Sequence, residues 1–337
     1  VAAVAGRDYV LLATDTRLVG SGGYDILERT HLRSRLWSAT SDHSFLHTTT
    51  TTTNKNDPIQ GGEEAAALSS SIFGRDGSVQ FPLQPPVSKT TDFLGEKEEL
   101  KKNINISTVT SAPVLIASAG CQADCEMLKR VFRSDVRRSQ QWGEVKAPGV
   151  NQQQQVLPSA IAVLLSQTLY QRRTFPWYAF CLVAGLSGPD EIGDESSDGC
   201  LGGQVFVYDA IGSYEAVAVA TSGNGRNLLQ PILDRSFSNN MNPCNDNSVD
   251  DSSLSGTTTM PMPTTYDRGG IAVAPFPRVQ ETAEQAAGIL TRAYRAVSER
   301  DASVGDNLVL CCLQRRKLEN GDTDIQCWSM SSPLKKH

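Results

Sequence analysis

The chain has 337 residues, 39% of them hydrophobic, which is room for one large domain or two small ones. Its formal net charge of -6 argues against nucleic-acid binding as the main activity. No apolar run is long enough to span a membrane, and nothing at Val1 reads as a signal peptide.

The first seventeen residues organise the rest. Val1-Ala2-Ala3-Val4-Ala5 is small and apolar, Gly6-Arg7-Asp8 is turn material, and residues 9–13 are apolar again, which predicts two short strands joined by a tight turn. Neither strand alternates polar with apolar, so both sheet faces should be covered. The second runs into Thr14-Asp15-Thr16-Arg17, where an acid and a base at the end of a buried strand form either a functional site or a buried ion pair holding a turn, with composition slightly favouring the ion pair. The chain opens without an initiator Met, as a trimmed or processed product would.

Gly20-Ser21-Gly22-Gly23 reads as a flexible turn, and residues 24–29 and 32–37 as another pair of strands, with Arg33 on the second. Residues 38–111 then hold a polythreonine run (Thr48 to Thr53), Gly61-Gly62, a Ser triplet, Pro85-Pro86 and a charged patch at 96–102, a composition of loop or disordered chain. Order resumes with a continuous apolar strand at 114–118. Cys121, Cys125, Leu128, Val131, Phe132 and Val136 follow at helical spacing. Cys121 and Cys125, one turn apart, could be half a metal site, but no zinc-type partner accompanies them. The eight cysteines suit small buried thiols in a reducing compartment better than a disulfide scaffold.

After a break with Pro148, Gly149 and a glutamine run, a helix starts near Pro158, is apolar nearly all round, and ends at Arg172-Arg173. Strands are expected at 178–186, 204–208 and 214–220. The acidic stretch between the first two (Asp190, Glu191, Asp194, Glu195, Asp198) lacks the EF-hand order and reads as a solvated loop. Ser222-Gly223-Asn224-Gly225-Arg226 leads into a helix and lacks the pattern of a phosphate loop. Residues 238–277 are Asn-, Ser-, Thr- and Pro-rich. A long amphipathic helix follows through Val279, Ala283, Ala286, Leu290, Tyr294 and Val297, and then a hairpin of strands near 308–313 and 325–328 about Asn320-Gly321-Asp322. This order, strands, two helices, strands, two helices, strands, predicts an α+β fold with two sheets between two helical layers, a four-layer αββα sandwich. It is expected to be a single domain over 1–337 interrupted by insertions at about 38–111, 187–203 and 238–277.

Particular words in that order resemble the proteasome beta subunits of the N-terminal nucleophile hydrolase superfamily. They are Ala3-Val4-Ala5-Gly6-Arg7-Asp8-Tyr9, Ala13-Thr14-Asp15-Thr16-Arg17, Ser118-Ala119-Gly120 with Asp124-Cys125, Arg172-Arg173-Thr174-Phe175-Pro176, Tyr208-Asp209-Ala210-Ile211-Gly212-Ser213-Tyr214, and Ser298-Glu299-Arg300-Asp301 with Val304-Gly305-Asp306. The resemblance implies the four-layer sandwich and membership of a ring-shaped core particle. Its active members cut peptides with an N-terminal threonine, whose hydroxyl attacks while its own amine acts as base, tuned by a lysine and an aspartate and by a glycine amide for the oxyanion. Carried over, Asp15 matches the family aspartate, Gly120 the oxyanion glycine, and Asp301 the later aspartate.

The departures imply a noncatalytic member. Val1 aligns two residues past the nucleophile position. Arg33 stands for the lysine and cannot exchange its proton. Asn224 and Val304 replace serines. Asp15 with Arg33, and Asp301 with Arg300, are then expected as ion pairs that keep an inherited site rigid. The resemblance further implies no cofactor or metal, other alpha and beta proteasome subunits in stacked heptameric rings as partners, regulatory particles through the assembly, and a place in cytoplasm and nucleus. The alternatives are an active threonine peptidase with its nucleophile upstream of Val1, and insertions that dock a regulator.

Overall fold

The computed structural model describes residues 1–20, 25–40, 72–74, 76–79, 104–109, 112–142, 157–187, 202–237, 265–266, 272–273, 276–317 and 323–335. The polythreonine run, the acidic stretch at 188–201, the turn at 21–24 and the hairpin tip at 318–322 lie outside them.

The first two strands form as their sequence predicts. β1 (Ala2–Ala5) pairs antiparallel with β2 (Tyr9–Asp15) in the register Ala2↔Ala13 to Ala5↔Val10. Period-two alternation then sends their side chains to two different cores. Ala2, Val4, Tyr9, Leu11 and Ala13 face one cluster; Ala3, Ala5, Val10 and Leu12 face another. All of these side chains are buried, which is why neither strand shows a polar face.

Residues 24–37 do not form a strand pair. β3 (Leu18–Val19) pairs with β4 (Ile26–Glu28), whereas β5 (Leu36–Ser38) pairs with β7 (Leu115–Gly120) in another sheet. Between them a tight turn, with the Arg35 and Leu36 amides both on the Leu32 carbonyl (2.9 and 3.2 Å), replaces the expected strand.

The stretch 38–111 is not uniformly irregular either. β6 (Ile104–Val109) is the edge strand of a six-stranded sheet ordered β11-β1-β2-β14-β15-β6, where β14 is Asn307–Lys317 and β15 Thr323–Pro333. Residues 72–79 also return to the fold: Val79 donates to the Leu36 carbonyl (2.9 Å) and Ser38 to that of Gly77 (2.8 Å), so the segment extends the free edge of β5. Threonine and serine in a strand lined by its own partners are locally indistinguishable from a polar loop, which is why composition misread 104–109.

The second sheet, with five strands, runs β10-β9-β8-β7-β5, with β8 at Ala179–Leu186, β9 at Gly203–Tyr208 and β10 at Tyr214–Ala216. The expected strand at 214–220 is split. β10 stays with β9, and β11 (Val219–Thr221) crosses to pair with β1 in the other sheet. β12 (Thr265–Tyr266) and β13 (Ala272–Val273) form a small ladder of their own inside the expected 238–277 insertion.

Among the described residues four helices pack on these sheets: α1 (Gln122–Trp142), α2 (Pro158–Tyr170), α3 (Arg226–Phe237) and α4 (Ala283–Ser298). α4 begins four residues after Val279, because Thr282 closes a capping box with Gln285 that satisfies the first free amides. Leu233 and Phe237 of α3 and Ala286, Leu290 and Tyr294 of α4 meet the β1–β2 face carrying Val4 and Leu11. Leu128 and Phe132 of α1 and Ile161 and Leu165 of α2 meet Ile116 and Val183 on the far face of the second sheet. Between the sheets, Ala3, Leu12 and Leu313 contact Leu115, Ala117 and Leu182. Each fully buried Leu or Val there contributes roughly 1.5–3 kcal/mol. No helix among the described residues is long and apolar enough to cross a membrane.

Candidate functional site

The start of β1, the end of β2, the loop before β5, the end of β7 and the turns before α3 and β14 converge on a cleft of about 620 Å³. Val1 closes one wall. Its backbone nitrogen donates to the Ser222 carbonyl and its own carbonyl accepts from Ser222, both at 2.9 Å, so the turn carrying Asn224 is tied to the first strand.

Asp15 stands beside it, nearly buried at 4% exposure. One carboxylate oxygen accepts from Arg35 Nη1, and the same guanidinium also donates to the carbonyls of Asp15 and Arg17. The other oxygen, Oδ2, is buried and makes no hydrogen bond among the described residues. Arg35 therefore occupies the position beside Asp15 that the sequence assigned to Arg33. Arg33 instead projects outward, two-thirds exposed, within 3.6 Å of Asp76 and 3.7 Å of Glu126. In a strand the two arginines would share a face; in a helical turn, at 100° per residue, they lie about 200° apart, and only one can point inward.

Gly120 lines the cleft at φ +132°, a conformation L side chains rarely adopt, and a Cβ there would come within 2.2 Å of the Tyr178 carbonyl. Asn224 lines the cleft as an exposed side chain, and Val304 lines it as a buried one. A Cβ on Gly225 would meet Val304 at 2.8 Å, so the two turns are in close contact. Asp301 is not part of the wall. It accepts from the backbone and hydroxyl of Ser303 (2.9 and 2.7 Å) and shapes the turn, in place of the expected pair with Arg300. Of the sequence-derived set, Asp15, Gly120, Asn224 and Val304 come together, and Arg33 and Asp301 stand apart.

The acid and base of the Asp15-Thr16-Arg17 cluster are both ion-paired, but not with each other. Arg17, fully buried, meets Asp306 at 2.8 Å and the Ala302 carbonyl at 2.6 Å; Arg29 takes the second Asp306 oxygen at 2.6 Å. Burial would raise the Asp306 pKa, but the hydrogen bonds from Arg17 and Arg29 hold it below the usual carboxylate range. Asp306 itself sits at φ 66°, anchored by backbone bonds to Lys335 and Leu334. This triad ties the residues after β2 and β4 to the turn before β14. Sequence reasoning missed it because Asp306 lies 289 residues from Arg17 and 277 from Arg29.

Among the described residues no group of three or more His, Cys, Asp or Glu side chains is placed to hold a metal ion. Cys121, exposed, lines the cleft, while Cys125 is buried, where desolvation pushes its thiol pKa well up.

Residues 90–245 match the family model described as "Proteasome subunit". Over 122 residues the chain is 38% identical to proteasome subunit beta type-1 of Arabidopsis thaliana, covering 36% of this chain and 45% of that protein. It is 35% identical over 136 residues to proteasome subunit beta type-1 of Dictyostelium discoideum, covering 40% and 49%. Against proteasome subunit beta type-1 of Oryza sativa it is 45% identical over 75 residues, covering 22% and 29%. The matched part thus spans less than half the length of these relatives. By the matched segment and these relatives, the chain is similar to proteasome subunits, and to those of beta type-1 in particular.

Proposed function

We propose that this chain is a noncatalytic beta subunit of the proteasome core particle, a wall component of the chamber in which other subunits cut protein. The family match and the beta type-1 relatives support the assembly. Two sheets with helices packed on both outer faces support reading the fold as the αββα sandwich of the N-terminal nucleophile hydrolases. Its partners on this reading are the other alpha and beta subunits of stacked rings and, through the assembled particle, regulatory complexes, in cytoplasm and nucleus.

The observation that carries the loss of catalysis is the Arg35–Asp15 ion pair. A threonine nucleophile needs a neighbour that can give and take a proton. A guanidinium held by a carboxylate and two carbonyls stays charged at any physiological pH. Asn224 and Val304 supply no hydroxyl to relay a proton in its place. The residual groups then act as braces: Arg35 ties the end of β2 to the loop before β5, and Gly120 keeps the β7 end against Tyr178.

Two measurements test this. In native gel filtration the chain is expected to co-elute with the large core particle, and its recovery only as a free small species would overturn the assembly. In the intact particle, a covalent inhibitor directed at N-terminal threonines is expected to label other subunits and spare this chain. Labelling of this chain would establish the alternative, an active threonine peptidase.

A further inference from the structure

Outside the Asp15–Arg35 pair, the cleft wall contains a second arrangement. Glu28, at the end of β4, His31 and Ser34 follow each other at intervals of three residues. His31 Nδ1 lies 3.1 Å from Glu28 Oε2 and His31 Nε2 lies 2.9 Å from Ser34 Oγ. An ionised glutamate can only accept, so Nδ1 carries the proton, and the free lone pair of Nε2 faces the serine hydroxyl. The ring is locked in place: the His31 amide donates to the Thr16 carbonyl at 2.9 Å, and the Thr16 hydroxyl donates to the Arg29 carbonyl at 2.6 Å. His31 and Ser34 both line the cleft, whose adjacent rim is apolar, made by Leu18, Val19 and the two-thirds exposed Leu27.

We propose that Ser34, His31 and Glu28 form a serine nucleophile centre that accepts small apolar acyl groups from esters entering this cleft. It is independent of the chain's N-terminus and of the noncatalytic reading, which concerns a different nucleophile. A nucleophile within reach of a base that is itself oriented by a carboxylate is the minimum arrangement for acyl transfer. Ser34 Oγ bonds to the carbonyl carbon while its proton passes to His31 Nε2. The C–O bond to the leaving alcohol then breaks and the alcohol takes that proton. Water, deprotonated by the same imidazole, hydrolyses the acyl-serine and returns the free hydroxyl. No oxidant or reductant is needed.

The imidazole must be neutral to act, and its surroundings favour that form. Burial lowers the His31 pKa most and Arg35 lowers it further, against the raising effects of Glu28, which also hydrogen-bonds it, and of Glu126 on α1. The net direction is downward from the ordinary value of about 6.5.

The test is labelling of the full chain, in its native assembly, with a small alkyl fluorophosphonate, read by peptide mass spectrometry. Here the Ser34 oxygen displaces fluoride from phosphorus and the hydroxyl proton goes to His31. The expected result is an adduct on Ser34, absent in Ser34→Ala and formed about 100-fold more slowly in His31→Gln. In the wild type the labelling rate should rise with pH through a midpoint below about 6.5 and be level at neutral pH. That profile decides the matter even where a variant fails to fold. A purely structural hydrogen-bond chain would lower the melting temperature of His31→Gln and yield no Ser34 adduct. That outcome, or an adduct whose rate keeps rising with pH through a midpoint above about 6.5, overturns the proposal.

Discussion

Arg17 is a fully buried cation whose partner, Asp306, is just as deeply buried. Removing one member of such a pair leaves a charge without its counterpart, which costs about 3–5 kcal/mol. Arg17→Met is therefore expected to lower the unfolding free energy by that order in urea titrations, even though Arg29 remains on the other carboxylate oxygen. The pair also sets a pH dependence. Because the Asp306 pKa is depressed in the folded chain, the unfolded chain binds the proton first on acidification. Its stabilising contribution is thus complete above the ordinary carboxylate value, near pH 4, and is lost as pH falls through the lower folded value. The stability gap between the native chain and Asp306→Asn should be constant from pH 7 to 5 and close below about pH 4, as measured by denaturation at each pH.

At the scale of elements, the segment at 72–79 shows how an insertion can be held by its host. Lys129 on α1, 1% exposed, donates to Asp76 Oδ2 (2.9 Å), Ser78 Oγ (2.8 Å) and the Arg33 carbonyl (2.8 Å). One ammonium therefore joins the inserted segment, the helix and the loop that presents Ser34 and Arg35 to the cleft. Burial would raise the Asp76 pKa, but hydrogen bonds from Ser78 and Lys129 hold it far below its ordinary value, so the carboxylate stays ionised at physiological pH, while burial lowers the Lys129 pKa against the pull of Asp76. Asp76→Ala should remove a charge-assisted bond worth roughly 1.5–3 kcal/mol locally. Hydrogen exchange is expected to speed up at the Val79 and Ser38 amides, which bond across this edge, and to stay unchanged at the β8–β9 ladder. Faster exchange throughout would mean that the segment stabilises the whole domain rather than one edge.

At the scale of the whole molecule, the layer between the two sheets mixes small side chains with large ones: Ala3, Ala5, Ala117, Ala184 and Ala220 lie among Leu12, Leu115 and Leu182. Small residues let the sheets approach closely, and close-packed layers resist added volume. Ala3→Leu should cost about 1–3 kcal/mol by overpacking, read as a lower melting temperature with a single transition preserved. A neutral effect would show that the layer has room to spare. The same layer couples the cleft to the fold, since β2 and β7 supply residues to both and Val1, just before β1, belongs to both.

Much of this was legible in the chain itself. Runs such as Val1 to Ala5 and Tyr9 to Ala13 gave strands dry on both faces, and helical spacing from Cys121 to Val136 and from Ala283 to Val297 located two helices, because buried faces impose a period that local sequence must obey. The words around Asp15, Gly120 and Asp301 pointed to the family, and Asp15, Gly120, Asn224 and Val304 do share one cleft. What local pattern could not decide was which of two arginines turns inward, that Thr- and Ser-containing residues 104–109 complete a sheet, or that residues 214–220 divide between two sheets. Those choices are made by partners far along the chain: Asp15 for Arg35, β15 for β6, and β1 for β11. A contact's free energy depends on which groups meet, and only the folded backbone brings these groups into reach.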